Sequence, residues 1–227
     1  MKLAMSIAAL IIAALVLPIF FIPDSADMSK RLELLPWNIE TRDDGHARVM
    51  GITLGQTPLE EARQLYGPDM DVAIVTAPDE PGAIEAYVAS ARAGYITGKL
   101  VIVVDATPEM VAAMRERAKK TEYMESTTRK ATPLPADLAT IFSLPVRSLA
   151  FIPTINLDQD AIAERFGPAA ERIQTNDHQT HLLYPEKGLD VILDTKGKEL
   201  LQYVSPKDFA VLTAPLHARR ETPEAAQ

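Results

Sequence analysis

Two stretches, ITLGQTPLEEARQLYGP from Ile52 to Pro68 and IPTINLDQDAIAERFGP from Ile152 to Pro168, lie 100 positions apart and read as the same device. Each is a short helix closed by an aromatic residue, a glycine and a proline. In the first, Thr57 is a good N-cap and Pro58 suits the first helical position, where its missing N–H costs nothing. Glu60, three residues beyond Thr57, completes a capping box. Leu59, Ala62, Leu65 and Tyr66 fall on one face at helical spacing. Gly67 suits a left-handed terminal residue, and Pro68 blocks continuation. In the second stretch Asn156 and Gln159 open the helix, Ala161, Ile162 and Phe166 face inward, and Gly167-Pro168 closes it. A strand-like run precedes each helix at the same displacement, HARVMGI from His46 and VRSLAFI from Val146.

Strand signals follow both helices. In the second half, turns at Pro185–Gly188 and Asp194–Gly197 separate strands near His181–Tyr184, Leu189–Leu193 and Glu199–Val204. In the first half AIEAYVA and KLVIVVDA read as strands, and AGYITGK, Ala93–Lys99, as the loop of a hairpin. Thr107-Pro108-Glu109 then starts a helix with Met110, Val111, Met114 and Ala118 on one face. The expected fold class is α+β: two related units, each a short helix or helix pair on an antiparallel sheet of about three to four strands. The expected divisions are an anchor over 1–22, a linker over 23–45, a first repeat over 46–125, a connector over 126–145, a second repeat over 146–216 and a flexible tail over 217–227. One short helix covers little of a sheet, so two units side by side bury the remainder against each other. Two copies make a pseudo-symmetric pair, too few for a solenoid.

Leu3–Ile22 runs twenty residues without a charge. A helix of that length matches the hydrocarbon core of a bilayer, roughly 30 Å at about 1.5 Å per residue. It predicts a single transmembrane signal anchor, with Leu3, Ile11, Ile12, Leu15, Leu17, Phe20 and Phe21 as its anchoring residues. A cleaved signal peptide is the competing reading. The run is longer than the usual apolar region of one, and PDSADMSK offers no good small-x-small cleavage site. Lys2 places the N-terminus inside, opposed by Lys30 and Arg31. The expected localisation is the bacterial inner membrane, with a cytoplasmic N-terminus and a periplasmic C-terminal domain. Trp37, the sole tryptophan, sits at the lipid interface or plugs the near edge of the domain.

Composition narrows the chemistry. The 23 basic and 31 acidic residues leave a net charge of −8, which disfavours a nucleic-acid partner. The absence of cysteine excludes disulfides, thiolate zinc sites, a thiol nucleophile and a lipidated N-terminal cysteine. The best metal candidates are His178 and His181, with Asp177 beside them. On a strand start their rings point apart, and no third ligand stands nearby in sequence. There is no Gly-x-Ser-x-Gly elbow, phosphate loop or dinucleotide fingerprint. Asp105, Asp190 and Asp194 flank strands and turns, and RERAKK at Arg115–Lys120 reads as the wet face of a helix. No catalytic residue, cofactor or firm metal site is expected.

GQTPLEEARQLYG, Gly55–Gly67, resembles the SmpA/OmlA (BamE-like) family in its Gly-x-Thr entry, acidic and apolar helix, and Leu-aromatic-Gly exit. A tandem of such units is similar to the beta-lactamase-inhibitor protein fold. The resemblance implies a helix pair on a three-stranded antiparallel sheet and a non-enzymatic, protein-binding or assembly role. The second copy departs from the entry motif, having Ile155-Asn156-Leu157, and the family's lipidated cysteine is missing. The expected partners are other envelope or inner-membrane proteins, with the bilayer held by the N-terminal helix. An accessory subunit would pack Ala8, Ala9, Ala13 and Ala14 against partner helices. Tyr66, Tyr87, Tyr95 and Tyr203 are candidate contact residues. The alternative is a periplasmic small-molecule or lipid-binding domain that uses the cleft between the halves.

Overall fold

The structure, a computed structural model, describes residues 25–78, 80–123 and 127–221. The anchor expected over Leu3–Ile22, with Leu3, Ile11, Ile12, Leu15, Leu17, Phe20 and Phe21, lies outside the described residues. Among the described residues no helix is long and apolar enough to cross a membrane.

The stretch expected to be a linker holds helix α1 (Ser25–Glu33) and strand β1 (Glu40–Thr41). Leu35 is buried just after α1, and Pro36 accepts a hydrogen bond from the Tyr203 hydroxyl at 3.0 Å, so this segment is docked on the domain. HARVMGI, expected as one strand, is instead two: β2 (Ala47–Val49) and β3 (Ile52–Thr53). Met50 and Gly51 both take positive φ, 50° and 79°, the pattern of a tight two-residue hairpin turn. With β1 they form a separate three-stranded antiparallel sheet.

Helix α2 (Leu59–Tyr66) then leads to β4 (Asp71–Thr76), β5 (Ala83–Ala93) and β6 (Ile96–Val104). The expected capping box is not made. Pro58 occupies the N-cap without a side-chain bond, and the Thr57 hydroxyl accepts from the Thr53 N–H at 2.9 Å, closing the preceding turn. Helix α3 (Pro108–Glu116) has Thr107 as its cap and buries Val111 and Met114. The expected connector holds strand β8 (Arg129–Thr132), paired with β7 (Lys120–Tyr123), and helix α4 (Pro135–Ser143).

Strand β9 (Val146–Pro153) is followed by helix α5 (Gln159–Phe166), displaced from α2 by the same 100 positions. The cap of α5 is Asp158, whose carboxylate accepts from Ala161 N at 2.8 Å, rather than Asn156. A four-strand meander follows: β10 (Glu171–Gln174), β11 (Gln179–Tyr184), β12 (Leu189–Asp194) and β13 (Leu200–Val204). Helix α6 (Ala210–Glu221) ends the described chain and replaces the start of the expected flexible tail.

The α+β class holds, but the expected sheets of about three to four strands, one per unit, are continuous with each other. All ten remaining strands form one antiparallel sheet in the order β10-β11-β12-β13-β9-β6-β5-β4-β8-β7. The inner edges pair through β9 instead of staying exposed, the usual remedy for open edges. Because neighbours alternate in direction, reversing this order about the β13–β9 boundary maps β10-β11-β12-β13 onto β4-β5-β6-β9 with every strand inverted. The strand order thus has the symmetry of a two-fold normal to the sheet, an operation that keeps each face on its own side. The β7–β8 hairpin extends the first unit only.

One face carries helices from both units. Leu59, Ala62, Val111, Met114, Ile141, Ile162 and Phe166 join Ile74, Ile84, Ile102, Phe151, Leu182 and Leu201 in a single apolar cluster spanning the sheet. On the other face, among the described residues, a small cluster forms in which Phe209, Leu212 and Leu216, on and just before α6, cover Ile173, Leu183 and Val204. Burying large aliphatic and aromatic side chains contributes roughly 1.5–3 kcal/mol each, so the shared cluster welds the units together.

Candidate functional site

On the second face the units differ. Over β10–β11 lies α6. Over β4–β5, the related position, the face opens into a groove of 380 Å³ lined by Asp71, Ala73, Val75, Glu85, Tyr87, Val101 and Lys130. Strand alternation puts the odd-numbered positions of β4 and β6, and of β5 as far as Tyr87, on this side; beyond Val88 a bulge in β5 reverses the parity and turns Ala91 and Ala93 into the main cluster. The register pairs Ala73 with Glu85, Tyr87 with both Asp71 and Val101, and Val75 with Lys130. Val75, Val101, Val103 and Ile152 join neither apolar cluster, although all are aliphatic.

Glu85 sits in the middle of this apolar surface, half-buried, and burial raises its carboxyl pKa above the ordinary value of 4.5. Lys130, in the same groove, is held by Asp71 at 2.6 Å. Ala73 pairs with Glu85 as Ile173, its counterpart 100 residues on, pairs with His181. Glu85 therefore occupies in the first unit the place of His181 in the second. His181 has a partner: its Nδ1 lies 2.7 Å from Asp190 Oδ2, and both side chains are buried. Desolvation raises the Asp190 pKa, and the hydrogen bond from His181 opposes the rise.

The raised Glu85 pKa has a sign for stability. The folded state holds the proton where the unfolded chain has released it, so this group's contribution falls as pH rises from 4.5 through the folded value. Glu85→Gln is expected to raise the urea midpoint at neutral pH, with the gain vanishing as pH falls below 4.5. Denaturation curves of both chains across that window check it.

The two sequence-derived metal candidates do not converge. His178 Nδ1 lies 3.0 Å from Asp194 Oδ1, at the end of β12, while His181 turns to Asp190 on the sheet face. Asp194 is held down at about 2, chiefly by the Lys196 backbone N–H and then by Gln179. Among the described residues no group of three or more His, Cys, Asp or Glu could hold a metal ion. Of the four candidate tyrosines, Tyr203 is buried and Tyr66 half-buried, donating to the carbonyls of Pro36 and Met50 respectively. Tyr87 lines the groove, and Tyr95 is exposed at the β5–β6 turn. Trp37 plugs the domain edge, with the Arg165 guanidinium 3.9 Å above its ring.

A second, polar cavity of 520 Å³ is lined by His46, Gly55, Asp105, Arg147, Lys207 and Asp208. Ser205, His46 and Lys207 meet beside it, a combination that invites a nucleophilic reading. The geometry argues against one. His46 Nδ1 is 2.7 Å from the Leu54 carbonyl, which fixes the proton on that nitrogen, and Ser205 Oγ donates to the same carbonyl at 3.2 Å. Nε2 accepts from Lys207 Nζ at 2.9 Å, so no basic nitrogen faces the serine. These bonds fasten the β2–β3 hairpin to the C-terminal segment.

Neither groove nor polar cavity was visible as a motif in the chain, because each draws single residues from several strands. No protein-family model, no curated protein and no solved structure matches the chain.

Proposed function

We propose that the protein is a non-enzymatic, membrane-anchored binding module of the cell envelope, periplasmic and held by Leu3–Ile22, whose open β4–β5–β6 face receives an amphipathic helix of a partner protein. The observation that carries this reading is the asymmetry of the second face. On one unit helix α6 covers β10–β11; on the other the related surface is uncovered among the described residues, mostly aliphatic and centred on Glu85. The two-fold symmetry of the strand order keeps both surfaces on one side of the sheet, so a helix from outside fits the first unit as α6 fits the second. Helix α6 also makes a polar contact, His217 Nε2 to Glu171 Oε2 at 3.3 Å, at the counterpart of Asp71. The incoming helix is therefore expected to present a Lys or Arg toward Glu85, since an ionised carboxylate inside a closed apolar interface needs a partner. Apolar and aromatic contacts around it, Tyr87 foremost, supply the anchor.

Photo-cross-linking from position 87 in the full-length chain in native membranes tests this. The expected adduct is a helix-forming protein segment with an apolar face and a basic residue. Its yield should fall at least about tenfold with Glu85→Arg, because losing one partner of a desolvated charge pair costs about 2–5 kcal/mol. An adduct confined to lipid or a small molecule, or one indifferent to the charge at position 85, would overturn the proposal.

A further inference from the structure

The exposed large apolar residues are unevenly spread. Met28 (46%), Leu32 (48%), Tyr95 (52%) and Ile155 (38%) are all substantially exposed, and all lie at one end of the ten-stranded sheet. Met28 and Leu32 are four apart on α1 and so share one face. The carbonyl of Arg31 rests against Gly94, in the β5–β6 turn, where a Cβ would collide with it and with Leu35. Tyr95 is the next residue of that turn. Ile155 follows Thr154, whose N–H donates to the Thr97 carbonyl at 2.8 Å and whose hydroxyl meets that of Thr97 at 2.9 Å. Leu65, 48% exposed, comes close by: it and Leu34, the residue after α1, both pack against Gly51.

Helix α1, whose Arg31 rests on the β5–β6 turn, is also the element that follows the uncharged N-terminal stretch in sequence. Only Pro23 and Asp24 separate Ile22 from the start of α1 at Ser25. At about 3.6 Å per residue the two cannot lie more than roughly 11 Å apart. If Leu3–Ile22 spans a bilayer, α1 starts within the headgroup layer or directly upon it. Lys30, Arg92 and Lys99 are exposed around the same end, where long cationic side chains reach phosphates while their stems lie on apolar surface.

We infer that this end of the sheet is a bilayer-docking surface, in which Met28, Leu32, Tyr95 and Ile155 enter the phospholipid interface and hold the domain at a fixed height and tilt. The inference rests on the membrane-anchor reading of Leu3–Ile22. Aliphatic and aromatic side chains on a docked helix and an adjacent turn are what an interfacial surface uses. A docked end leaves the β4–β5–β6 groove facing sideways along the membrane, accessible to a helix of a neighbouring membrane protein.

The absence of cysteine permits single-site spin labelling of the full-length chain in phosphatidylcholine vesicles. Labels go at Leu15→Cys, Met28→Cys, Leu32→Cys, Tyr95→Cys and Ile155→Cys, with Tyr123→Cys and Val211→Cys as exposed controls elsewhere on the molecule. Accessibility to oxygen, which concentrates in lipid, is compared with that to a water-soluble nickel chelate. The expected result is a several-fold rise in the oxygen-to-nickel ratio at positions 28, 32, 95 and 155 over positions 123 and 211. Lipid values at position 15 with aqueous values at 95 and 155 would overturn the docking surface and leave the anchor standing. Aqueous values at position 15 would overturn both. Labels at 95 and 155 shielded from both reagents would mean a protein contact there and would also overturn it.

Discussion

Phe151→Ala is expected to lower the free energy of unfolding by about 3–5 kcal/mol. Phe151 is fully buried on β9, the strand that joins the two units, and its register partners are Leu100 on β6 and Leu201 on β13. Gly98 makes room for it: a Cβ there would lie 2.6 Å from the phenyl ring. Truncation removes the ring's transfer energy and leaves a void that three paired strands cannot collapse to fill. Because the apolar cluster runs through both units, the loss should appear in one cooperative urea transition shared by probes in both halves. Two transitions, with only one displaced, would show that the units fold separately.

His181→Ala is expected to cost a similar amount, about 3–5 kcal/mol at neutral pH, because it leaves the buried Asp190 carboxylate without its partner. Asp190 Oδ1 already lacks a hydrogen-bond partner among the described residues, so the imidazole is its main support. The sign with pH follows from the raised pKa of Asp190. A carboxyl whose folded pKa exceeds its ordinary 3.8 contributes less stability as pH rises from that value through the folded one. Removing the histidine takes away the bond that opposed the rise and extends the window upward. The deficit of His181→Ala should therefore shrink on acidification toward 3.8, and the double variant His181→Leu/Asp190→Leu should recover most of it at neutral pH. Urea midpoints of the wild-type chain and the two variants across that range decide the matter; a pH-independent deficit would point to packing alone.

The repeat was legible because short-range chemistry writes it. Gly67-Pro68 and Gly167-Pro168 punctuate two helices of equal length, and the strands after them start at Asp71 and Glu171. The three hairpin strands of the second unit and the Thr107 cap were readable for the same reason. What escaped was decided by tertiary pairing. Nothing local tells VRSLAFI to insert between two meanders while HARVMGI folds back on itself, except the Met50-Gly51 pair, whose φ values become informative only in place. Thr57 and Glu60 match a capping box, yet the hydroxyl serves the turn before the helix. Strands β4 and β10 went unread because DVAIVT and ERIQ are short and carry charge at their starts. The groove was invisible because Glu85 reads as an ordinary polar position in an alternating strand; what makes it unusual is that none of the described residues covers β4–β5.

Helix α6 supplies a blueprint for an antagonist. Its segment sets Phe209, Leu212 and Leu216 at intervals of three and four against Ile173, Leu183 and Val204. A short synthetic peptide with that spacing, and a lysine turned toward Glu85, is the rational first molecule for occluding the unroofed half.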